Sequence, residues 1–233
     1  MSRIFATSDL HGCGDLWDQI KTFLKEDDKL IFLGDAADRG PDGLRIMQEM
    51  LADSRIVYLK GNHEWMAFEQ PSVAFWIQRR NGGRPTYTHL MELSKEERAK
   101  FREKIIKLPE AAEYTNKDGL RIYLCHAGWD MVDPNYDILQ ERSHFEKPWP
   151  EDCEYDVLIH GHTPTGYMQY CVRDSYTFGK NINTFKIAFY CDGHKINLDL
   201  GSVVTGAAAL LDLDTFEEHY FYNNTYKELM KNV

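Results

Sequence analysis

The sequence predicts an α/β fold with a parallel sheet and helical crossovers, and two observations lead to this fold class. Within residues 3–70, short β-branched or aromatic runs alternate with amphipathic stretches, which is the pattern of βαβ units. The 233 residues are 43% hydrophobic, which is enough to bury a core and excludes an intrinsically disordered chain. No internal repeat or linker divides the sequence, so we expect a single domain over residues 1–233.

The first 60 residues predict three strands separated by two helices. The strands are expected at residues 4–8, 30–33 and 56–59, and the helices at 15–25 and from Pro41. Both helices carry apolar residues at helical spacing, and proline suits a first helical turn because its missing N–H needs no partner there. Parallel strands joined in this way bind ligands beyond their carboxyl ends.

The rest of the chain predicts a helical cover followed by further strands. Residues 65–108 are helical in character, with a break at 81–83 and a helix start at Ser94, where acidic residues follow in the first turn. Asn-Lys-Asp-Gly at 116–119 predicts a turn between two antiparallel strands. The later strands are expected at residues 156–159, 185–190, 196–200 and 208–213, with an extra β-hairpin near 166–197.

Composition and charge limit the partners of the protein. The 37 acidic and 27 basic residues give a net charge of −10, which argues against broad nucleic-acid binding. No apolar run approaches the ~18 residues that cross a bilayer, and the N-terminus shows no signal-peptide pattern. We therefore expect no membrane association and a cytoplasmic location.

Polar residues follow five of the predicted strands. They are Asp-Leu-His at 9–11, Gly-Asp-Ala-Ala-Asp-Arg-Gly at 34–40, Gly-Asn-His-Glu at 61–64, His-Ala-Gly at 126–128 and Gly-His-Thr-Pro at 161–164. A single Asp or His at a strand end is usually a turn residue, but five strand ends at one sheet edge would present oxygen and nitrogen ligands together. Mixed carboxylate and imidazole ligation favours Mn, Fe or Zn over Mg or Ca.

In this order the motifs resemble those of the PPP superfamily of metallophosphoesterases. The resemblance is strongest to compact bacterial and phage serine/threonine protein phosphatases and to the related symmetrical diadenosine tetraphosphate hydrolases, and it spans residues 3 to about 165. It implies the calcineurin-like fold, a four-layer αββα arrangement in which a β-sandwich is flanked by helices. It also implies two divalent metal ions, which we expect to be Mn²⁺, with Fe or Zn as alternatives.

The resemblance also implies residue roles. The metal ligands would be Asp9 and His11 for one ion, Asp35 as the bridge, and Asn62, His126 and His162 for the second. A hydroxide bridging the two ions would attack phosphorus directly. His63 would be the general acid that protonates the leaving group, and Asp38 would bind its other ring nitrogen.

Three basic residues are expected to bind the substrate phosphate. Arg39 matches a phosphate-binding arginine of the family, and Arg142 is placed where relatives carry another, although its neighbours match poorly. Lys60 stands where many relatives have arginine, so it would keep the charge but lose the bidentate fork.

Other polar residues near the motifs have ordinary interpretations. We interpret His160 as a buried, hydrogen-bonded neighbour of the ligands and Glu64 as a residue that supports them. The basic cluster Arg79, Arg80 and Arg84 is interpreted as a solvated helix end, with a phosphate or phosphopeptide contact as the alternative.

These expectations describe a dinuclear-metal phosphatase that hydrolyses phosphoric monoesters, with phosphoserine or phosphothreonine in proteins as the favoured substrate and small phosphoesters as further substrates. One alternative is a hydrolase of dinucleoside polyphosphates, which would use the same site on a phosphoanhydride. A second alternative is a catalytically silent binding module. A silent relative would have lost a ligand or the acid, and all eight implied residues are present.

Overall fold

The computed structural model describes residues 2–129, 133, 135–170 and 185–224, whose strands form two five-stranded sheets. In spatial order the first sheet contains β10 (Glu218–Tyr222), β9 (Ala207–Asp212), β1 (Ile4–Thr7), β2 (Lys29–Phe32) and β3 (Ile56–Tyr58). Strands β1, β2 and β3 are parallel, and β9 runs antiparallel to β1. The three predicted parallel strands are therefore present, while the edge strand β10 was not predicted from the sequence.

The second sheet is mixed as well. Its strands are, in spatial order, β4 (Ala111–Thr115), β5 (Arg121–Cys125), β6 (Val157–His160), β8 (Lys195–Asn197) and β7 (Ala188–Tyr190). Strands β5, β6 and β8 are parallel, and the edge strands β4 and β7 are antiparallel to their neighbours. Of the hairpin expected near 166–197, residues 171–184 lie outside the described residues, so that expectation stays a prediction.

Along the chain, all but one of the described helices come between β1 and β4. They are α1 (Gly14–Phe23), α2 (Gly43–Ala52), α3 (Asn62–Phe68), α4 (Val73–Trp76), α5 (Arg84–Glu92), α6 (Lys95–Ile106) and α7 (Ser202–Thr205). Helix α6 begins as predicted, because the Ser94 hydroxyl accepts from the Glu97 N–H at 3.2 Å and the Glu97 carboxylate accepts from the Ser94 N–H at 2.8 Å. Among the described residues, none of the helices has the length and apolar character needed to span a bilayer.

The side chains of the first sheet alternate between two hydrophobic cores. One set packs against α1–α6, namely Phe5, Leu30, Phe32 and Leu210. The other set packs against the second sheet, namely Ala6, Ile31, Leu33 and Leu211. Both faces of the sheet are thus buried, which is why its strands read as continuous apolar runs.

The outer face of the second sheet is covered by short 3₁₀ turns in the described part of the chain. Phe145 and Met168 of these turns pack on Tyr190 of β7, and the Lys195 ammonium of β8 donates to the carbonyls of His144 and Lys147. The layers are therefore helices, sheet, sheet and a thin outer cover, which is the sandwich implied by the motif resemblance.

Candidate active site

The candidate residues converge where the two sheets meet. Asp9, Asp35 and Asn62 follow β1, β2 and β3 of the first sheet, whereas His126 and His162 follow β5 and β6 of the second. The expectation of five strand ends on one sheet was wrong, because the chain divides these strands between two sheets packed face to face. The carboxyl ends still meet, since His126 Nδ1 lies 2.8 Å from the Leu33 carbonyl of the first sheet.

Six of the candidate residues have a left-handed backbone. Their φ angles are 53° at Asp9, 44° at His11, 62° at Asp35, 71° at Asp38, 64° at Arg39 and 68° at His162. For residues other than glycine this conformation costs roughly 1–2 kcal/mol each, and such strain collects where side chains must be aimed at a functional centre. Gly161 precedes His162 because a Cβ there would collide with the side chains of Ser8 and Asp9.

Asp35 lies at the centre of the cluster. One of its carboxylate oxygens is 3.5 Å from His11 Nε2, and the other is 3.4 Å from His126 Nε2. Two groups of closely spaced ligand atoms share this residue, one with His11 and His63 and one with His126 and His162. Asp35 is therefore placed to bridge two adjacent positions.

The second metal position is formed by three ligand atoms from side chains that carry no negative charge, an asparagine and two histidines. Asn62 Oδ1 lies 3.0 Å from both His126 Nε2 and His162 Nδ1, and the two ring nitrogens are 3.2 Å apart. These atoms come from α3 and from the ends of β5 and β6, so their convergence depends on the stacking of the sheets.

The hydrogen bonds of His126 test whether a cation fits this cluster. The Leu33 carbonyl can only accept, so Nδ1 carries the ring proton. In the neutral ring Nε2 then directs a lone pair at the oxygens of Asn62 and Asp35. Lone pairs that face one another repel, so the arrangement requires a positive charge, and a divalent ion supplies it with the ligand types found here.

Asp9 supports the same conclusion at the first position. One carboxylate oxygen accepts from the Ser8 hydroxyl and from the His162 N–H at 2.9 Å, while the other oxygen is buried without a partner among the described residues. That free oxygen lies 3.8 Å from His11 Nε2. A buried, unpaired carboxylate oxygen is costly, so a cation at this position would satisfy it.

The protonation of the cluster reflects its concentrated charge. Burial alone would lower the pKa of His126, but the Asp35 carboxylate outweighs burial and raises this pKa to about 10. Burial would raise the pKa of Asp35, and the charge of His126 instead holds it well below its usual range. Burial raises the pKa of Asp9. In the absence of metal ions, protons therefore supply positive charge that the cluster requires.

His63, Asp38 and Trp76 form a chain of hydrogen bonds beside the cluster. His63 Nδ1 lies 2.8 Å from Asp38 Oδ2, and the same oxygen accepts from Trp76 Nε1 at 2.7 Å. Burial would lower the pKa of His63, but the carboxylates of Asp35 and Asp38 outweigh burial and raise it. Because Asp38 binds Nδ1, the other ring nitrogen of His63, Nε2, faces the site, where it can deliver a proton.

Arg39 lies over the two histidines nearest the first position. Its guanidinium donates to His11 Nε2 at 2.7 Å and to His63 Nε2 at 3.1 Å. A cation bound by His11 would compete with Arg39 for the same lone pair, which would free the guanidinium for an anion. Arg142 reaches the opposite side, where its Nε donates to the Thr163 hydroxyl at 2.8 Å, next to His162.

Lys60 is the predicted site residue that the structure does not bring to the cluster. Its ammonium donates to the Ile106 carbonyl at 3.1 Å and pairs with Glu69 at 2.9 Å. Only 4% of this residue is exposed. Its position beside the Gly-Asn-His-Glu motif suggested a phosphate contact, but the side chain turns toward the C-terminus of α6, where a cation interacts favourably with unpaired carbonyls.

The structure brings further residues to the site that the sequence analysis missed or interpreted only as supporting residues. Trp76 carried no motif signal, and its contact with Asp38 arises from the packing of α4. Asp199, which follows β8, is 2% exposed, and burial together with the nearby Asp9 carboxylate raises its pKa well above the usual range. Glu64 accepts from the N–H groups of Asp35 and Ala37 at 2.8 and 3.1 Å, which matches its interpretation as a supporting residue.

His160 also agrees with its sequence-based interpretation. The residue is fully buried, its Nε2 lies 2.6 Å from the Tyr190 hydroxyl, and its Nδ1 lies 3.0 Å from the Gly161 carbonyl. Both ring nitrogens are thus engaged by neighbouring protein groups.

Comparisons with known proteins agree with the site. Serine/threonine-protein phosphatase 2 of Escherichia coli (strain K12) is 29% identical over 82% of this chain and 86% of its own length. The bis(5'-nucleosyl)-tetraphosphatase PrpE of Geobacillus thermodenitrificans, named as asymmetrical, is 30% identical over 87% of each chain. The resemblance of the motifs pointed to both kinds of enzyme, although to the symmetrical form of the second.

Solved structures show the same fold at much lower sequence identity. A protein serine/threonine phosphatase from Saccharomyces cerevisiae superposes with a TM-score of 0.55 at 13% identity, covering 95% of this chain and 80% of that one. A model of the family described as calcineurin-like phosphoesterases matches residues 2–198. The chain therefore belongs to the calcineurin-like phosphoesterase family and is a metal-dependent phosphoesterase.

Proposed function

We propose that this protein is a dinuclear-metal phosphatase that hydrolyses phosphoric monoesters, with phosphoserine and phosphothreonine residues of proteins as its main substrates. The observation that carries the proposal is the position of the Asp35 carboxylate between two sets of ligand atoms, with His63 beside them. Relatives of this size include a serine/threonine protein phosphatase, which supports the substrate class.

Six side chains would hold the two ions. They are Asp9, His11, Asp35, Asn62, His126 and His162. Bound divalent ions supply Lewis-acid activation of water and of the phosphoryl oxygens. We take manganese as the leading candidate and iron or zinc as alternatives, since all three accept this mixture of ligands.

The remaining residues act directly on the substrate. Arg39 and Arg142 would donate to the non-bridging phosphoryl oxygens, where a planar guanidinium offers two parallel hydrogen bonds. His63 would deliver a proton from Nε2 to the leaving oxygen, while Asp38 holds Nδ1 and stabilises the imidazolium. The reaction breaks the bond between phosphorus and the ester oxygen, and water supplies the oxygen of the released phosphate.

A dinucleoside polyphosphate is the second candidate substrate. A tetraphosphatase relative is 30% identical to this chain and the protein phosphatase 29%, so the two are similar to it to the same degree, and the same residues could act on a phosphoanhydride. The fold does not choose between the two, because one fold serves many substrates.

The test compares three substrates on protein loaded with Mn²⁺, Zn²⁺ or Fe²⁺. We expect turnover of a phosphothreonine peptide and of p-nitrophenyl phosphate, abolished by a chelator and by Asp35→Asn. His89→Asn, on α5 and outside the motifs, is the matched control and should keep full activity. Faster turnover of diadenosine tetraphosphate than of the peptide would replace the first candidate with the second. No turnover of any substrate with any of the metals would refute the enzyme proposal and favour a silent binding module.

A further inference from the structure

Three arginines near the active site have no side-chain partner among the described residues. Arg79, Arg80 and Arg84 are exposed, and no hydrogen bond or ion pair of their side chains is found within the described part of the chain. Every other arginine of that part makes such a contact. Those contacts belong to Arg3, Arg39, Arg45, Arg55, Arg98, Arg102, Arg121 and Arg142.

The segment that carries these arginines lies directly on Arg39. The Gly82 carbonyl accepts from the Arg39 N–H at 2.8 Å, and a Cβ at Gly82 would come within 2.7 Å of Arg39 Cγ. Arg39 in turn contacts His11 and His63. The basic segment 79–84 therefore borders the position where the phosphoryl group is expected.

The backbone of this segment is also fixed by contacts with the rest of the protein. The Asn81 side chain donates to the Phe75 carbonyl at 2.7 Å, and Asn81 itself is only 9% exposed. Gly83 packs against the indole of Trp76, where a Cβ would not fit. The backbone between the arginines is thus anchored, while the three charged side chains are exposed.

Three positively charged side chains without described partners, next to Arg39, would bind an anion favourably. The protein carries a net charge of −10, and its other described arginines have partners, yet these three guanidinium groups lie within six residues of one another along the chain and have no partner among the described residues. Each guanidinium presents a planar fork of donors that matches a phosphate group. The segment would gain most from a ligand whose negative charge extends beyond the reacting phosphoryl group.

We propose that residues 79–84 form a second anion subsite, which binds a phosphate group of the substrate other than the one that is hydrolysed. The inference rests on the proposed function and identifies phosphoanhydride chains as substrates that use the whole site. In such a chain, water forms the new bond to the phosphorus bound between the metal ligands. The anhydride P–O bond breaks, and the departing phosphate receives the proton while the arginines hold its charge.

The first experiment measures binding and does not require turnover. Bis(phosphonomethyl)phosphinate, a triphosphate analogue with methylene bridges, is compared with methylphosphonate by calorimetry on the manganese-loaded protein. The triple variant Arg79→Gln, Arg80→Gln, Arg84→Gln should weaken binding of the triphosphate analogue about tenfold and that of methylphosphonate less than about twofold, since each exposed ion pair contributes modestly. Because this readout is independent of catalysis, it tests the subsite even if no phosphoester is hydrolysed.

A control variant separates the subsite from general charge effects. Lys95→Gln, Lys100→Gln, Lys104→Gln removes the same number of positive charges from exposed positions on α6 and should leave both affinities unchanged. Circular dichroism and thermal unfolding of both triple variants would verify that they fold. Equal weakening of the two phosphonates, equal effects of the two variants, or no effect of the arginine variant would each overturn the proposal.

Turnover identifies the source of the second anion. The arginine variant should lower kcat/KM for diadenosine tetraphosphate about tenfold while kcat/KM for p-nitrophenyl phosphate changes less than about twofold. A phosphothreonine peptide flanked by aspartates is compared with one flanked by alanines. If the aspartate peptide alone loses activity and diadenosine tetraphosphate does not, the segment recognises peptide carboxylates and the phosphate assignment is wrong.

Discussion

Replacing Asp38 with asparagine should selectively impair proton delivery by His63. The Asp38 carboxylate accepts from His63 Nδ1 at 2.8 Å and from Trp76 Nε1 at 2.7 Å on one oxygen, and the residue is fully buried. Asparagine keeps the shape but removes the charge. A hydrogen bond to a charged group contributes about 1 to 2 kcal/mol more than a neutral one, which corresponds to a loss of roughly 5- to 30-fold in kcat/KM.

The size of this loss should depend on the leaving group. A basic alkoxide or phenolate needs the proton from His63, whereas p-nitrophenolate leaves without much assistance. We therefore expect the full loss for phenyl phosphate and a smaller loss for p-nitrophenyl phosphate, measured as kcat/KM at one fixed metal concentration. Metal content should match the wild-type protein, because Asp38 is not among the expected ligands.

The pH dependence provides a second readout of the same change. Protonated His63 is the active form, so activity is present below its pKa and is lost as the pH rises through it. Asp35 and Asp38 outweigh burial and raise this pKa above 6.5, so the Asp38→Asn variant should lose activity at a lower pH than the wild type. An equal loss for both leaving groups, or an unmoved alkaline limb, would refute this role of Asp38.

Four further substitutions test separate parts of the site. His63→Asn should leave metal content intact while kcat/KM for phenyl phosphate falls by about 10²- to 10⁴-fold; normal turnover would exclude the acid role. Asp35→Asn should deplete both metal ions, as measured by elemental analysis, because a bridging ligand serves each of them; loss of a single equivalent would contradict the bridge. Trp76→Phe should lower kcat/KM for phenyl phosphate a few-fold, about 1 kcal/mol for one lost hydrogen bond, with p-nitrophenyl phosphate nearly unaffected. Lys60→Met should reduce the free energy of unfolding by about 1–3 kcal/mol, since it removes a charged donor from the part-buried Ile106 carbonyl and from the Glu69 carboxylate, without changing KM; a raised KM would indicate that Lys60 contacts the substrate phosphate after all.

The first three strands along the chain, and the polar residues that follow them, could be predicted from local sequence. Short apolar runs mark β1, β2 and β3, and the polar residues follow each run directly, so strand direction alone assigns Asp9, Asp35 and Asn62 to the same side of the sheet. The capping box at Ser94 is likewise formed within four residues. Such features depend on neighbours along the chain and are therefore visible in the sequence.

Lys60 shows where this reasoning fails. Its residue type and its place before the Gly-Asn-His-Glu motif favoured a phosphate contact, but the direction of a long side chain is set by what packs around it. Here Glu69 and the end of α6 provide the nearest acceptors. The contact between Trp76 and Asp38 was equally invisible, because it joins residues 38 positions apart through the packing of α4.

By itself, the sequence determined the chemical types available at the site and the strand ends that carry them, because those follow from residue identity and local periodicity. Only the tertiary structure decided which of these groups face one another. Asn62 and His126 are 64 positions apart and follow strands of different sheets. Their 3.0 Å approach exists because two hydrophobic faces pack together and bring two separate sets of strand ends to one edge.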